Sequence, residues 1–175
     1  MKKKVLLSLA LLTMVVASQV FAQQATPDKL RFIEEKTQGG GYIVQAASNK
    51  ISGAVVIPET HLGKAVISVN HFVNCTGIIS VSIPNSVTRI GLMTFSGCTS
   101  LTSITIPASV THIGANAFNG CTKLSSVTFQ KSGISFDSNS TNAFPGDLVA
   151  KYKAGGAGTY KRQGDPAKPT WVKDK

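Results

Sequence analysis

Acidic residues are scarce in this 175-residue chain: eight Asp and Glu stand against eighteen Lys and Arg. So few carboxylates leave no paired-carboxylate site to be read. Charge of either sign is thin as well, at 15% of residues, while 42% are hydrophobic. A disordered chain has the opposite balance. Aromatic residues make up 7%, with a single Trp, so no aromatic platform interleaves with the basic residues as single-strand nucleic-acid binding requires. Cysteine occurs three times, and an odd count leaves at least one thiol unpaired. Only the N-terminus carries a long apolar run. The length suits one domain.

That N-terminal run reads as a secretory signal over residues 1–22. Lys2, Lys3 and Lys4 precede the apolar stretch Val5 to Val16, and Val20-Phe21-Ala22 places small residues at −3 and −1 of a cleavage site. A membrane anchor is the competing reading, but the run is shorter than the roughly 20 apolar residues that span a bilayer. Export to the cell surface, the periplasm or the medium is therefore expected. Loss of the three signal lysines lowers the formal charge from +10 to +7. Between residues 53 and 145 only four basic residues face two acidic ones, while residues 146–175 hold seven against three. The excess charge belongs to the ends.

A 23-residue period organises the centre. Pro84 and Pro107, Phe95 and Phe118, and Cys98 and Cys121 are each 23 apart, and one step back lands on Phe72 and Cys75. Internal repeats of this length mark stacked architectures. The first unit has five extra residues between Pro58 and Val66; the fourth replaces the proline with Gln130 and reaches Ala143-Phe144 after a three-residue expansion. About four units result. Within one, Leu101, Ile104 and Ile106 form the inward side of a short strand, with Ser103 and Thr105 pointing away. Pro107 lacks an amide hydrogen, so the ladder must stop or turn there. Val110 and Ile113 begin a second extended piece, Gly114 permits a turn, and Ala117, Phe118 and Cys121 plug the interior. One unit cannot bury this edge alone, whereas stacked copies can. The expected structural core is Phe72, Cys75, Ile83, Ile90, Phe95, Cys98, Leu101, Ile104, Ile106, Ile113, Phe118 and Cys121. The fold class expected is mainly β, a short solenoid of about four 23-residue coils with a cap at each end.

The unit Leu-x-x-Ile-x-Ile-Pro-x-Ser-Val-x-x-Ile-Gly-x-x-Ala-Phe-x-x-Cys resembles the BspA-type (treponemal) leucine-rich repeat of bacterial surface proteins, over roughly residues 53–145. The outer units depart from it at Asn70-His71-Phe72 and Gln130. The segment from Phe144 to Tyr160 also resembles the closing segment of small exported members. The resemblance implies a curved right-handed leucine-rich-repeat solenoid, export, and adhesion or binding of host or neighbouring-cell proteins. It brings no catalytic residues. Residues 23–52 and 146–175 then read as caps, the latter with a basic tail. In the first, Leu30 to Lys36 and Tyr42 to Ala46 flank Gly39-Gly40-Gly41 and favour two strands and a turn over a helix starting at Thr26-Pro27-Asp28. In the second, Asp147 to Lys153 suits a short helix broken by Gly155-Gly156-Ala157-Gly158. Beyond Tyr160 the Lys- and Pro-rich chain suggests an extended, partly mobile tail.

Chemistry is harder to find than architecture. Cysteines on successive coils point the same way, so a buried thiol ladder is favoured over disulfides or a metal site. His61, His71 and His112 fall at different points of their units, with His112 matching Arg89 as a solvated residue. No nucleophile elbow or phosphate loop is present, so neither an enzyme nor a cofactor is expected. What remains is surface. Ser80, Ser82, Ser103, Thr105, Ser126 and Thr128 form an outward hydroxyl stripe. Exposed strands tolerate Ser and Thr in any case; the functional reading is a face that binds a protein, or a glycan. The expected function is adhesion or protein–protein interaction through this surface, without nucleic acid. The alternative is a structural cell-envelope protein whose basic tail contacts acidic polymers.

Overall fold

In a computed structural model, residues 29–36, 40–137, 142–165 and 168–175 are described. The expected secretory signal and the competing helix start at Thr26 lie outside them. The described chain is mainly β, wound into about four coils. Each coil contributes one long and one short strand to two separate sheets.

The long strands are β3 (Ser52–Val56), β6 (Gly77–Ser82), β8 (Ser103–Ile106) and β10 (Ser126–Phe129). They pair in parallel, with Val81 opposite Ile104 and Ile104 opposite Val127. β6 and β8 end just before Pro84 and Pro107, where the amide hydrogens run out. Gln130, standing where the proline would be, confirms the point from the other side. Its N–H donates to the Ile106 carbonyl at 3.0 Å, a bond no proline could make. Within the coils the second, short-strand sheet starts with β5 (Lys64–Val69), six residues long in the first coil. It continues with the short strands β7 (Arg89–Ile90), β9 (His112–Ile113) and β11 (Ser135–Phe136), also parallel, with Val69, Ile90 and Ile113 in one row.

Between the sheets the repeat positions stack like on like. All twelve expected core residues are buried. Phe72, Phe95, Phe118 and Phe144 form a continuous column with ring centroids 5.3, 5.3 and 4.5 Å apart. That spacing follows from the roughly 4.8 Å separation of paired strands. The loop carrying the column is itself bonded across coils: Phe72, Phe95 and Phe118 donate to Thr94, Ala117 and Ala143 at 2.7, 2.7 and 2.8 Å. Coils approach so closely at Gly114 that a Cβ there would lie 2.5 Å from the backbone of Gly91 and Leu92. Asn74, Gly97 and Gly120 form a second column, all left-handed at φ 56°, 73° and 73°, where Gly and Asn are the tolerated residues.

The ends close in different ways. At the N-terminus β1 (Leu30–Glu35) and β2 (Gly41–Ala46) pair antiparallel, the two strands read from the sequence, and β2 continues the short-strand sheet beside β5. The five extra residues of the first unit form β4 (Thr60–His61), a hairpin with β5 whose tip is Leu62-Gly63. His61 stacks on Phe32 with centroids 3.9 Å apart and meets Tyr42 edge-on at 4.8 Å, so the insertion is pinned to the cap. At the C-terminus the expected helix spans Leu148–Gly155. The segment beyond Tyr160 departs from the expected partly mobile tail. β12 (Gly158–Gln163) and β13 (Thr170–Lys173) form an antiparallel hairpin that extends the long-strand sheet past β10.

Trp171 is the reason the tail is ordered. It is fully buried, its indole N–H donates to the Pro145 carbonyl at 2.8 Å, and its backbone N–H donates to Asp147 Oδ1 at 2.9 Å. Burial of its indole offsets part of the entropy cost of ordering the hairpin. Tyr152 and Tyr160 complete the cap. Tyr152 Oη gives its hydrogen to the Lys131 carbonyl and accepts from Ile134 N–H, and both rings pack on Phe129.

Removing one rung of the phenylalanine column should be costly because rings lie on both sides of it. Phe95→Ala is expected to lower stability by about 3–5 kcal/mol in urea unfolding, with an unchanged dependence on denaturant.

Candidate binding face

The strand alternation that buries Leu101, Ile104 and Ile106 forces their neighbours outward, and coil stacking aligns those neighbours in rows. Ser80, Ser103 and Ser126 are in one register, and Thr105 and Thr128 in another. Ser82 pairs with Val56 on β3 instead. Five of the six residues thus fall in two rows, which are not uniformly open. Ser82, Ser103 and Thr105 are exposed, whereas Ser80, Ser126 and Thr128 are half-buried.

The C-terminal hairpin explains part of this. Lys161 of β12 lies opposite Ser126 and donates to its hydroxyl at 3.0 Å, while Thr159 lies opposite Thr128 with the two hydroxyl oxygens 2.9 Å apart. Arg162 Nη1 donates to the Thr122 carbonyl at 2.7 Å. Basic residues assigned to a separate tail therefore border the face itself. One row runs Ala54, Ser80, Ser103, Ser126, Lys161 across five strands. Sequence reasoning missed this because the repeat period ends before β12. The alternating Gly158–Gln163 segment was the available signal.

Two further features shape the face. Ile79 is the extra residue where β6 slips against β3, and it is left 55% exposed. Beyond the strand ends a groove of about 320 Å³ is lined by Ser82, Asn85, Thr105 and Gln130 with Val81, Ile83 and Pro107. Hydroxyls and carboxamides converge there over a small apolar floor, which suits hydrogen bonding more than charge pairing.

The remaining chemistry-bearing groups are engaged elsewhere. Cys98 and Cys121 donate their thiol hydrogens to the carbonyls of Phe72 and Phe95 in the preceding coil, at 3.1 and 3.2 Å. Burial pushes both thiols up to about 12, and Cys75 up to about 11. All three are free and buried, in the expected ladder. Gln45 donates to His71 Nδ1 at 3.2 Å. His112 differs from the expectation of a solvated residue: its Nε2 lies 2.6 Å from Asp137 Oδ1, and Asp137 Oδ2 accepts from Ala115 N–H at 2.9 Å. His112 does sit in register with Arg89. The histidines are held separately, on the hairpin, the loop and the short-strand sheet.

Residues 65–146 match, in six copies, the family described as the BspA type leucine-rich repeat region. A crystal structure of a T. pallidum leucine-rich repeat protein aligns with 28% identity and a TM-score of 0.56, over 62% of this chain and 51% of that one. A leucine-rich repeat protein from Bacteroides ovatus aligns with 28% identity and a TM-score of 0.48, over 59% of this chain and 29% of that one. The chain thus spans about half the length of the first and less of the second. No curated protein matches. Among the described residues no helix is long and apolar enough to cross a membrane.

Two outcomes follow from the engaged groups. At neutral pH Cys98 and Cys121 should resist alkylation by iodoacetamide until denaturant opens the coils, because the thiolate is the reactive form. The Ala115 N–H first, then His112 and Arg89, hold the Asp137 carboxyl below its usual range against partial desolvation. Its contribution is therefore present above the unfolded value of about pH 4 and lost as pH falls through the folded one. Asp137→Asn should lower Tm near neutrality, and the gap to wild type should narrow as pH falls below the unfolded carboxylate value.

Proposed function

From the BspA-type leucine-rich repeats that make up residues 65–146, we propose that this protein is an exported binding scaffold that holds another protein against the outer face of its long-strand sheet. One observation carries the reading: an outward row, Ala54, Ser80, Ser103, Ser126 and Lys161, runs unbroken across β3, β6, β8, β10 and β12, free of acidic side chains, with Lys161 at one end. Leucine-rich repeat proteins commonly bind through such strand faces. Export rests on the N-terminal signal, and adhesion to host or neighbouring cells rests on the family resemblance.

The chemistry of the face sets the kind of binding. Short hydroxyl side chains lose little rotamer entropy on contact and offer both a donor and an acceptor. They provide few anchors of the Trp, Tyr or Arg type that concentrate binding energy. Single contacts should accordingly be modest, with Ile79 and Lys161 as the main larger groups. A glycan partner is the second reading, favoured by the carboxamide and hydroxyl lining of the groove at Asn85 and Gln130.

Ser103→Lys with Thr105→Lys places two cations mid-face at exposed positions. Capture of extracellular-matrix proteins by the immobilised double variant should fall at least about tenfold, with unfolding unchanged. Capture equal to wild type would exclude this face.

A further inference from the structure

The two ends of the long-strand sheet are finished differently. Past β10 it closes with the β12–β13 hairpin, but at the other end the order stops at β3. The N-terminal hairpin adds its strands to the short-strand sheet only. Strand amides alternate sides. Ile57 N–H donates to the Ser82 carbonyl on β6 at 3.0 Å, so Val55 also faces β6 while Ala54 and Val56 face away. Among the described residues no hydrogen bond reaches the outer side of Ala54 or Val56.

Exposed strand edges are ordinarily blunted by charge, proline or shortness. The outermost strands elsewhere carry such protection: β1 contains Arg31, Glu34 and Glu35, β13 ends on Lys173, and β11 has two residues. β3 reads Ser-Gly-Ala-Val-Val, five residues without charge or proline. Its flanks are charged with opposite signs. Lys50 lies before it and Glu59 after it, both exposed, and neither forms an ion pair among the described residues.

We propose that β3 is a self-pairing edge, at which a second copy of this chain adds its own β3 antiparallel, Ala54 opposite Val56. Antiparallel addition brings the Lys50 end of each copy to the Glu59 end of the other, so the charges complement twice about one twofold axis. Parallel addition would set like charges together. The contact is isologous and closes at two copies. It joins the two long-strand sheets edge to edge and leaves their outer faces on one side. Two modest binding faces then act together, and avidity supplies what single contacts lack. The pairing does not depend on what the face binds.

The test is the mass of the purified protein by sedimentation equilibrium across a concentration series. A rise from one chain mass towards two, and no further, is expected. Lys50→Glu or Glu59→Lys alone should weaken association about tenfold, and the two together should restore it. Val56→Pro removes an amide hydrogen unused among the described residues, so it should abolish the dimer while circular dichroism and Tm stay near wild type. If Val56→Pro does not fold, the charge reversals decide. A monomer at every concentration, a mass beyond two, a folded Val56→Pro dimer, or a double reversal no better than the single ones would each overturn the proposal.

Discussion

Every coil of this protein is incomplete without its neighbour at roughly 4.8 Å, and the rest of the structure depends on that constraint. No coil satisfies its own backbone. Long strands, short strands and the phenylalanine loop each hand their hydrogen bonds to the next coil. No coil buries its own apolar edge either. Stacking at fixed separation then makes each position meet its own equivalent, which explains the phenylalanine column, the thiol-to-carbonyl ladder and the Asn74, Gly97, Gly120 column. It also explains the glycine at 114, where the neighbouring coil leaves no room for a Cβ.

A stack built this way has two open ends, and the ends hold most of the chemistry that the repeats lack. The tyrosines, the tryptophan, most of the charge and the helix all lie outside the repeated positions. The caps add contacts that occur once and are not repeated from coil to coil. Trp171 reaches back to Pro145 and Asp147, and His61 onto Phe32. The same logic places function. Repeated outward residues give a face of small hydroxyls, while Lys161 gives that face a distinct border.

Much of the fold was legible because a period is a local signal. Pro84 and Pro107 marked the strand ends, Leu101, Ile104 and Ile106 the buried side, and the cysteine spacing the thiol ladder. The outward hydroxyls were legible for the same reason, as the complement of the buried positions. Other features were visible only as irregularities. The five extra residues before Val66 announced an insertion, but not that His61 would stack on the cap. Asp137 stood outside the repeat pattern, so nothing in the spacing tied it to His112. The Lys- and Pro-rich ending looked like a tail because charge density outweighed one tryptophan.

By itself the sequence determined the coil length, the inward and outward positions of each strand, and the neutrality of the repeats. It could do so because each of these depends on residues within one unit and its copy 23 positions away. Only the tertiary structure decided that the short strands form a second parallel sheet, that the last strands continue the first, and that the basic residues border the hydroxyl rows. Those outcomes depend on contacts between segments that share no pattern. The scarcity of acidic residues acquires its place in the same way: among the described residues the few that are present sit at turns, caps and the final coil, and the outer face is left to Ser, Thr, Ala54, Ile79 and one lysine.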